Sequence, residues 1–106
     1  MITFEEFRKI DLKIAKILSA DHIEGSEKLL KLLVDIRETV PRQIIAGIGK
    51  AYAPDSLIGR EIVIVANLEP RILMGFESQG MLLAAVEETP VIITPEHEVS
   101  PGTMIR

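Results

Sequence analysis

His22 and His97 are the only imidazoles in this 106-residue chain, and each has an acid close by in sequence, in His22-Ile23-Glu24 and Glu96-His97-Glu98. Metal sites need several ligands at short, repeated spacings, so these isolated neighbours read as solvated surface. The chain has no cysteine, which removes thiol catalysis, thiolate metal sites and disulfides. Ser78 lacks the Gly-x-Ser-x-Gly frame of a nucleophile elbow and has no histidine near it in sequence. Gly47-Ile48-Gly49-Lys50 has neither the Walker nor the Rossmann spacing, so it reads as a turn. No carboxylate pair stands out for acid/base work. The expectation is a binding protein with no catalytic residues, metal or cofactor.

The side chains left over are suited to holding a ligand. Arg42, Lys50 and Arg71 would track phosphates if they converged at one mouth of the fold, and Asn67 and Ser78 could hydrogen-bond a nucleic-acid backbone or a 2′-hydroxyl. Met74 and Met81, where exposed, could rest on a sugar or base without demanding one sequence. The bland alternatives are solvated lysines and arginines and core-filling methionines. Most of these residues lie in one stretch, "NLEPRILMGFESQGMLLAA" from Asn67 to Ala85. It is too long to be a simple turn between two buried strands. Pro70 and Gly75 would shape such an excursion, and Gly80 would return the chain to the next strand.

The elements that must position it follow from periodicity. Thr3 with Glu6 three residues on is a capping box, so a short helix is expected over "TFEEF", with Phe4, Phe7 and Ile10 packed beneath it. Ile10, Leu12 and Ile14 then alternate as in a half-buried strand. The phase slips at Ala15 and Ile17, which predicts a bulge or barrel-corner bend there. Strands are expected in "LLKLLVDI", "RQIIAGI", "REIVIVA" and "GMLLAAV", with Arg42 and Ile44 on one face of the second and Gln43 and Ile45 on the other. The continuous apolar run of "REIVIVA" implies burial on both faces. "APDSLIG" suits a brief helical turn, while "PVIITP" and "GTMIR" are short strand-like pieces. Five principal strands with a helical turn between the third and fourth predict an all-β, five-stranded Greek-key barrel of the OB type, although an SH3-like barrel or a small sandwich would give a similar pattern. One domain over residues 1–106 is expected, with the barrel at about 10–86 and a β-rich extension at about 87–106.

Composition narrows the partner. With no Trp, one Tyr and three Phe, a base-stacking platform for single strands is nearly excluded. The net charge of −4 argues against general nucleic-acid affinity. However, Glu87, Glu88, Glu96 and Glu98 concentrate acid in the last stretch and leave the remainder near neutral, so a basic face is open to it. No apolar run approaches the roughly 20 residues of a membrane helix, and the acidic "MITFEEFRKI" is unlike a signal peptide. A soluble, cytoplasmic protein with no membrane partner is the expectation. Small size and an apolar extension that would otherwise leave a bare strand edge predict a homodimer.

"RQIIAGIGKAY", "VIVANLEP" and "LMGFESQGMLLAA", together with "FRKIDLKIAKI", "EKLLKLLVDI" and the closing "VSPGTMIR", resemble the tRNA-binding domain family. That family includes the β subunit or C-terminal domain of methionyl-tRNA synthetase and free-standing bacterial tRNA-binding proteins. The likeness rests most specifically on Asn67-Leu68-x-Pro70 and Ser78-x-Gly80-Met81. It implies an OB-fold that recognises the outer elbow of folded tRNA by shape, a homodimer joined partly through the C-terminal extension, and a methionyl-tRNA synthetase as partner. Asn67, Ser78 and Met81 match the family's RNA-contacting motif, and Arg42 and Lys50 match positions of basic surface. Glu69 and Ile72 stand where the family commonly has lysines, as does Ala53, and Ala15 replaces a usual glycine. The alternative is a homodimeric protein-interaction module of the export-chaperone branch of the same superfamily, with weak or no tRNA binding.

Overall fold

The computed structural model describes residues 1–106 and is nearly all β. Its framework is made of four strands, β1 (Leu12–His22), β2 (Leu30–Asp35), β3 (Arg42–Ala46) and β4 (Glu61–Val65). They lie in the order β3-β2-β1-β4, all antiparallel, which is the Greek-key arrangement. In β2 the alternation is clean, with Leu30, Leu32 and Val34 buried and Lys31, Leu33 and Asp35 turned outward. These three join Ile17, Ile44, Ile62, Ile64 and Leu57 in one core. Burying such a side chain contributes about 1.5–3 kcal/mol. All five residues of β4 are buried, the apolar run Ile62–Val65 together with the Glu61 carboxylate at its start. Pro54–Ser56 form a single 3-10 turn before it.

The excursion is itself structured. β5 (Arg71–Leu73) and β6 (Phe76–Ser78) form a hairpin, and β7 (Met81–Leu82) then pairs with β4. β8 (Ala84–Val86) leaves that sheet and pairs with β9 (Pro90–Ile92), so "GMLLAAV" is two strands, not one. β10 (Met104–Ile105) returns to β1, and the segment before it is anchored by buried Glu61, whose carboxylate accepts from the Val99 N–H at 2.8 Å. Gly102 (φ +87) passes so close to β2's exit that a Cβ there would sit 2.5 Å from the Ile36 carbonyl oxygen.

Between β3 and β7 no strand ladder forms, and the barrel is closed by one backbone bond and by side-chain bonds from Ser78 and Gln79. Gln79 donates its N–H to the Gln43 carbonyl at 2.7 Å and accepts the Gln43 N–H on its own side-chain oxygen at 2.9 Å. The Ile45 N–H donates to Ser78 Oγ at 2.9 Å. The outer edge of β3, which would otherwise offer bare amides, is thus covered by the end of the excursion. The result is a nearly closed barrel.

Three expectations change. The bulge in β1 falls between Ile17 and Ser19, where the register with β2 shifts, and Ala15 runs through an unbroken ladder with β4. Both Ile44 and Ile45 are buried, because the hairpin covers the face that alternation would leave open. The capping box forms as expected, with Thr3 and Glu6 bonded reciprocally at 3.0 and 3.1 Å. The helix it starts, α1 (Phe4–Phe7), is one turn long, and Phe4, Phe7 and Ile10 remain exposed. Only the Arg8 guanidinium, 5.7 Å from the Phe4 ring centroid, stacks on this group.

Candidate nucleic-acid interface

The excursion divides the expected site residues into two groups. Three are committed to the fold. Ser78 is 5% exposed, and its hydroxyl both accepts from Ile45 N–H and donates to the Gly80 carbonyl at 2.9 Å. Asn67 is exposed, yet its amide donates to the Lys9 carbonyl at 2.7 Å and accepts the Asp11 N–H at 2.8 Å, fastening the N-terminal segment to the end of β4. Arg42 donates to both carboxylate oxygens of Glu38, each at 2.9 Å, and to the carbonyls of Ala66 and Gln79. The Arg42 hydrogen bonds hold the Glu38 carboxyl below its usual range, and Glu38 in turn raises the Arg42 guanidinium. The pair is therefore intact at neutral pH and is lost only as pH falls through that lowered value.

The other four, Lys50, Arg71, Met74 and Met81, are exposed. Arg71 and Met81 meet at a niche of about 50 Å³ floored by Ile45 and Ser78. Glu69 lines the same niche, so the acid that replaces a family lysine faces the same side as the remaining base. Ile72 pairs with Glu77 across the hairpin and points to the opposite face from Arg71. Lys50 lies in the turn after Gly49 and does not line this niche. None of the ion pairs formed in the chain involves Arg71, Lys50 or Lys31.

Met74 stands at the hairpin tip with φ +51, followed by Gly75 at φ +83. A two-residue loop with both central residues left-handed is a type I′ turn, for which asparagine or glycine is the usual first residue. A methionine there is strained. Its methyl lies 3.5 Å from where a Cβ of Gly25 would be, next to the β1–β2 loop. The sequence reading missed Lys31, whose ammonium lies 5.1 Å from the Phe76 ring centroid beside the hairpin. Its outward position in the alternating Leu30-Lys31-Leu32 was the available signal. It also missed Gln79, for which side-chain edge pairing has no sequence signature. No three His, Asp or Glu residues come together in a way that could hold a metal ion.

A family model described as "Putative tRNA binding domain" matches residues 12–104. The chain belongs to the tRNA-binding domain family. It is 50% identical over 105 residues to a methionine–tRNA ligase of Caldanaerobacter subterraneus subsp. tengcongensis, and likewise to one of Thermotoga maritima. These matches cover 98% of this chain and 16% of each ligase, so the chain spans about one sixth of the length of these relatives. Among solved structures, the chaperone CsaA of Bacillus anthracis matches with a TM-score of 0.92 at 34% identity, covering 100% of this chain and 99% of that one. The methionyl-tRNA-synthetase-related protein of Pyrococcus horikoshii matches with a TM-score of 0.92 at 33% identity, covering 100% and 98%. Membership places the excursion and its exposed side chains in a family of tRNA-binding domains related to methionyl-tRNA synthetases.

Proposed function

We propose that this chain binds folded tRNA through an OB-type barrel, reading the outer elbow by shape, as an accessory domain or partner of a methionyl-tRNA synthetase in the cytoplasm. The single observation that carries this reading is the pairing of exposed Arg71 and Met81 at one niche, on an excursion that Ser78, Gln79 and Asn67 hold rigid from within. A pre-organised loop loses little freedom on binding. Arg71, with Lys31 and Lys50 as further bases, supplies phosphate contacts, while Met74 and Met81 offer sequence-tolerant apolar contact. Asn67, Ser78 and Arg42 act by shaping this surface. The chain carries no aminoacylation step of its own.

Competition gel shifts test this reading. Folded bulk tRNA is expected to displace labelled tRNA at lower concentration than an unstructured RNA of the same length. Equal competition would contradict shape recognition. Met74→Asn separates contact from strain. Asparagine tolerates the left-handed turn, so the melting temperature is expected to rise by a few degrees, following about 0.5–1 kcal/mol. tRNA affinity is expected to fall about twofold to tenfold with the loss of the thioether. A variant that gains stability and keeps full affinity would remove Met74 from the surface.

A homodimeric protein-interaction module is the second reading. One observation favours it: Phe4, Phe7, Ile10 and Met104 line an exposed groove of about 230 Å³ that this chain leaves uncovered. A homodimer closed over α1 and β10 would cover it.

A further inference from the structure

Arg42 lies in an open groove of about 700 Å³, flanked by Val40, Leu68 and Pro70. Its guanidinium has two separately employed edges. Nη1 donates to the carbonyls of Ala66 and Gln79, at the two ends of the excursion. The Nε and Nη2 edge donates to Glu38, one bond to each carboxylate oxygen. The first edge fixes the plane and orientation of the group. The second presents the two-donor fork that fits a carboxylate and a phosphate equally well.

Glu38 is held by Arg42 alone. Its carboxylate has no hydrogen-bond partner other than Arg42, and its side chain is 42% exposed against 23% for Arg42. The preceding Arg37 has φ +67, so the loop reaches this position through a left-handed residue that is not glycine. Removing Glu38 would leave an aimed, rigid fork facing solvent.

We propose that the Arg42 fork is a binding site for a phosphate-class oxyanion, and that Glu38 is its displaceable occupant in the free protein. An incoming phosphate takes Nε and Nη2 while Nη1 stays on its two carbonyls, so the exchange leaves the excursion in place. The Glu38 carboxylate moves into solvent, and the carboxylate-for-phosphate swap sets how readily the site opens. The inference rests on the tRNA reading only for an RNA backbone as the source of the phosphate; a free phosphate ester has the same chemistry.

The test titrates inorganic pyrophosphate into the full chain while following the Arg42 Nε–Hε resonance, in wild type and in Glu38→Gln. The resonance is expected to move in both, with Glu38→Gln binding about threefold to fivefold tighter, as expected for loss of an exposed competing ion pair. Arg42→Lys, which keeps the charge but loses the fork, is expected to lose this binding; its melting curve checks folding, and the Glu38→Gln comparison stands without it. An unmoved Arg42 resonance under saturating pyrophosphate, or no tightening in Glu38→Gln, would overturn the proposal. A parallel tRNA titration distinguishes the source. Tightening in both arms points to the RNA backbone, and tightening with pyrophosphate alone points to free phosphate esters. Pyrophosphate binding in a wild type that binds no tRNA would keep the site and refute the tRNA reading.

Discussion

Ser78→Ala is expected to melt roughly 10–20 °C below the wild type in a circular-dichroism scan, a loss of about 2–4 kcal/mol. The hydroxyl sits in the wall of the barrel and serves two buried groups at once, the Ile45 N–H and the Gly80 carbonyl. Alanine leaves both without a partner, and a buried amide or carbonyl so stranded costs about 1–3 kcal/mol. Gly80 has no room to compensate, because it sits at φ +144 and a Cβ there would lie 2.9 Å from the Val65 carbonyl oxygen. A variant with wild-type melting and reduced tRNA affinity would show instead that the hydroxyl faces the ligand.

Glu69→Lys is expected to raise tRNA affinity roughly tenfold at low salt. The change swaps a unit of repulsion for a unit of attraction in the niche that holds Arg71, and each is worth about 1 kcal/mol near a phosphate in water before screening. The log-log slope of affinity against salt should steepen by about 1, the mark of one added phosphate contact. Filter binding at several salt concentrations measures both quantities. An unchanged slope would mean that the niche does not meet phosphates. Ile72→Lys, on the opposite face of the hairpin, is expected to have the smaller effect.

The barrel was legible where one physical cause dominates. β2 alternates because one face is buried, β4 is apolar from Ile62 to Val65 because both faces are, and Thr3 and Glu6 satisfy each other's backbone donors locally. The hairpin from Arg71 to Ser78 was not legible, since Met74-Gly75 is a poor type I′ sequence. The break of "GMLLAAV" at Leu83 was hidden as well. The Leu83 N–H still bonds the Val63 carbonyl at 3.0 Å, and the chain turns away only afterwards. Phe4, Phe7 and Ile10 followed a helical period, but the helix is one turn long and none of its residues is buried.

At the site, the excursion and its exposed Arg71, Met74 and Met81 were visible in the sequence. The internal use of Asn67, Ser78 and Arg42 was not. A short polar side chain that bonds its own backbone and one that bonds a ligand are the same residue type at the same spacing. Only the partners distinguish them, and those lie 33 positions away for Ser78 and 58 for Asn67.

The four methionines, Met1, Met74, Met81 and Met104, are natural reporters of which surface meets RNA. Met74 and Met81 lie on the excursion, while Met104 lines the apolar groove beside Phe4 and Phe7. In a methyl NMR titration with folded tRNA, the Met74 and Met81 signals are expected to shift and broaden while those of Met1 and Met104 hold still. Movement of Met104 with Met74 and Met81 silent, or no response from any methyl at saturating tRNA, would contradict the binding surface described.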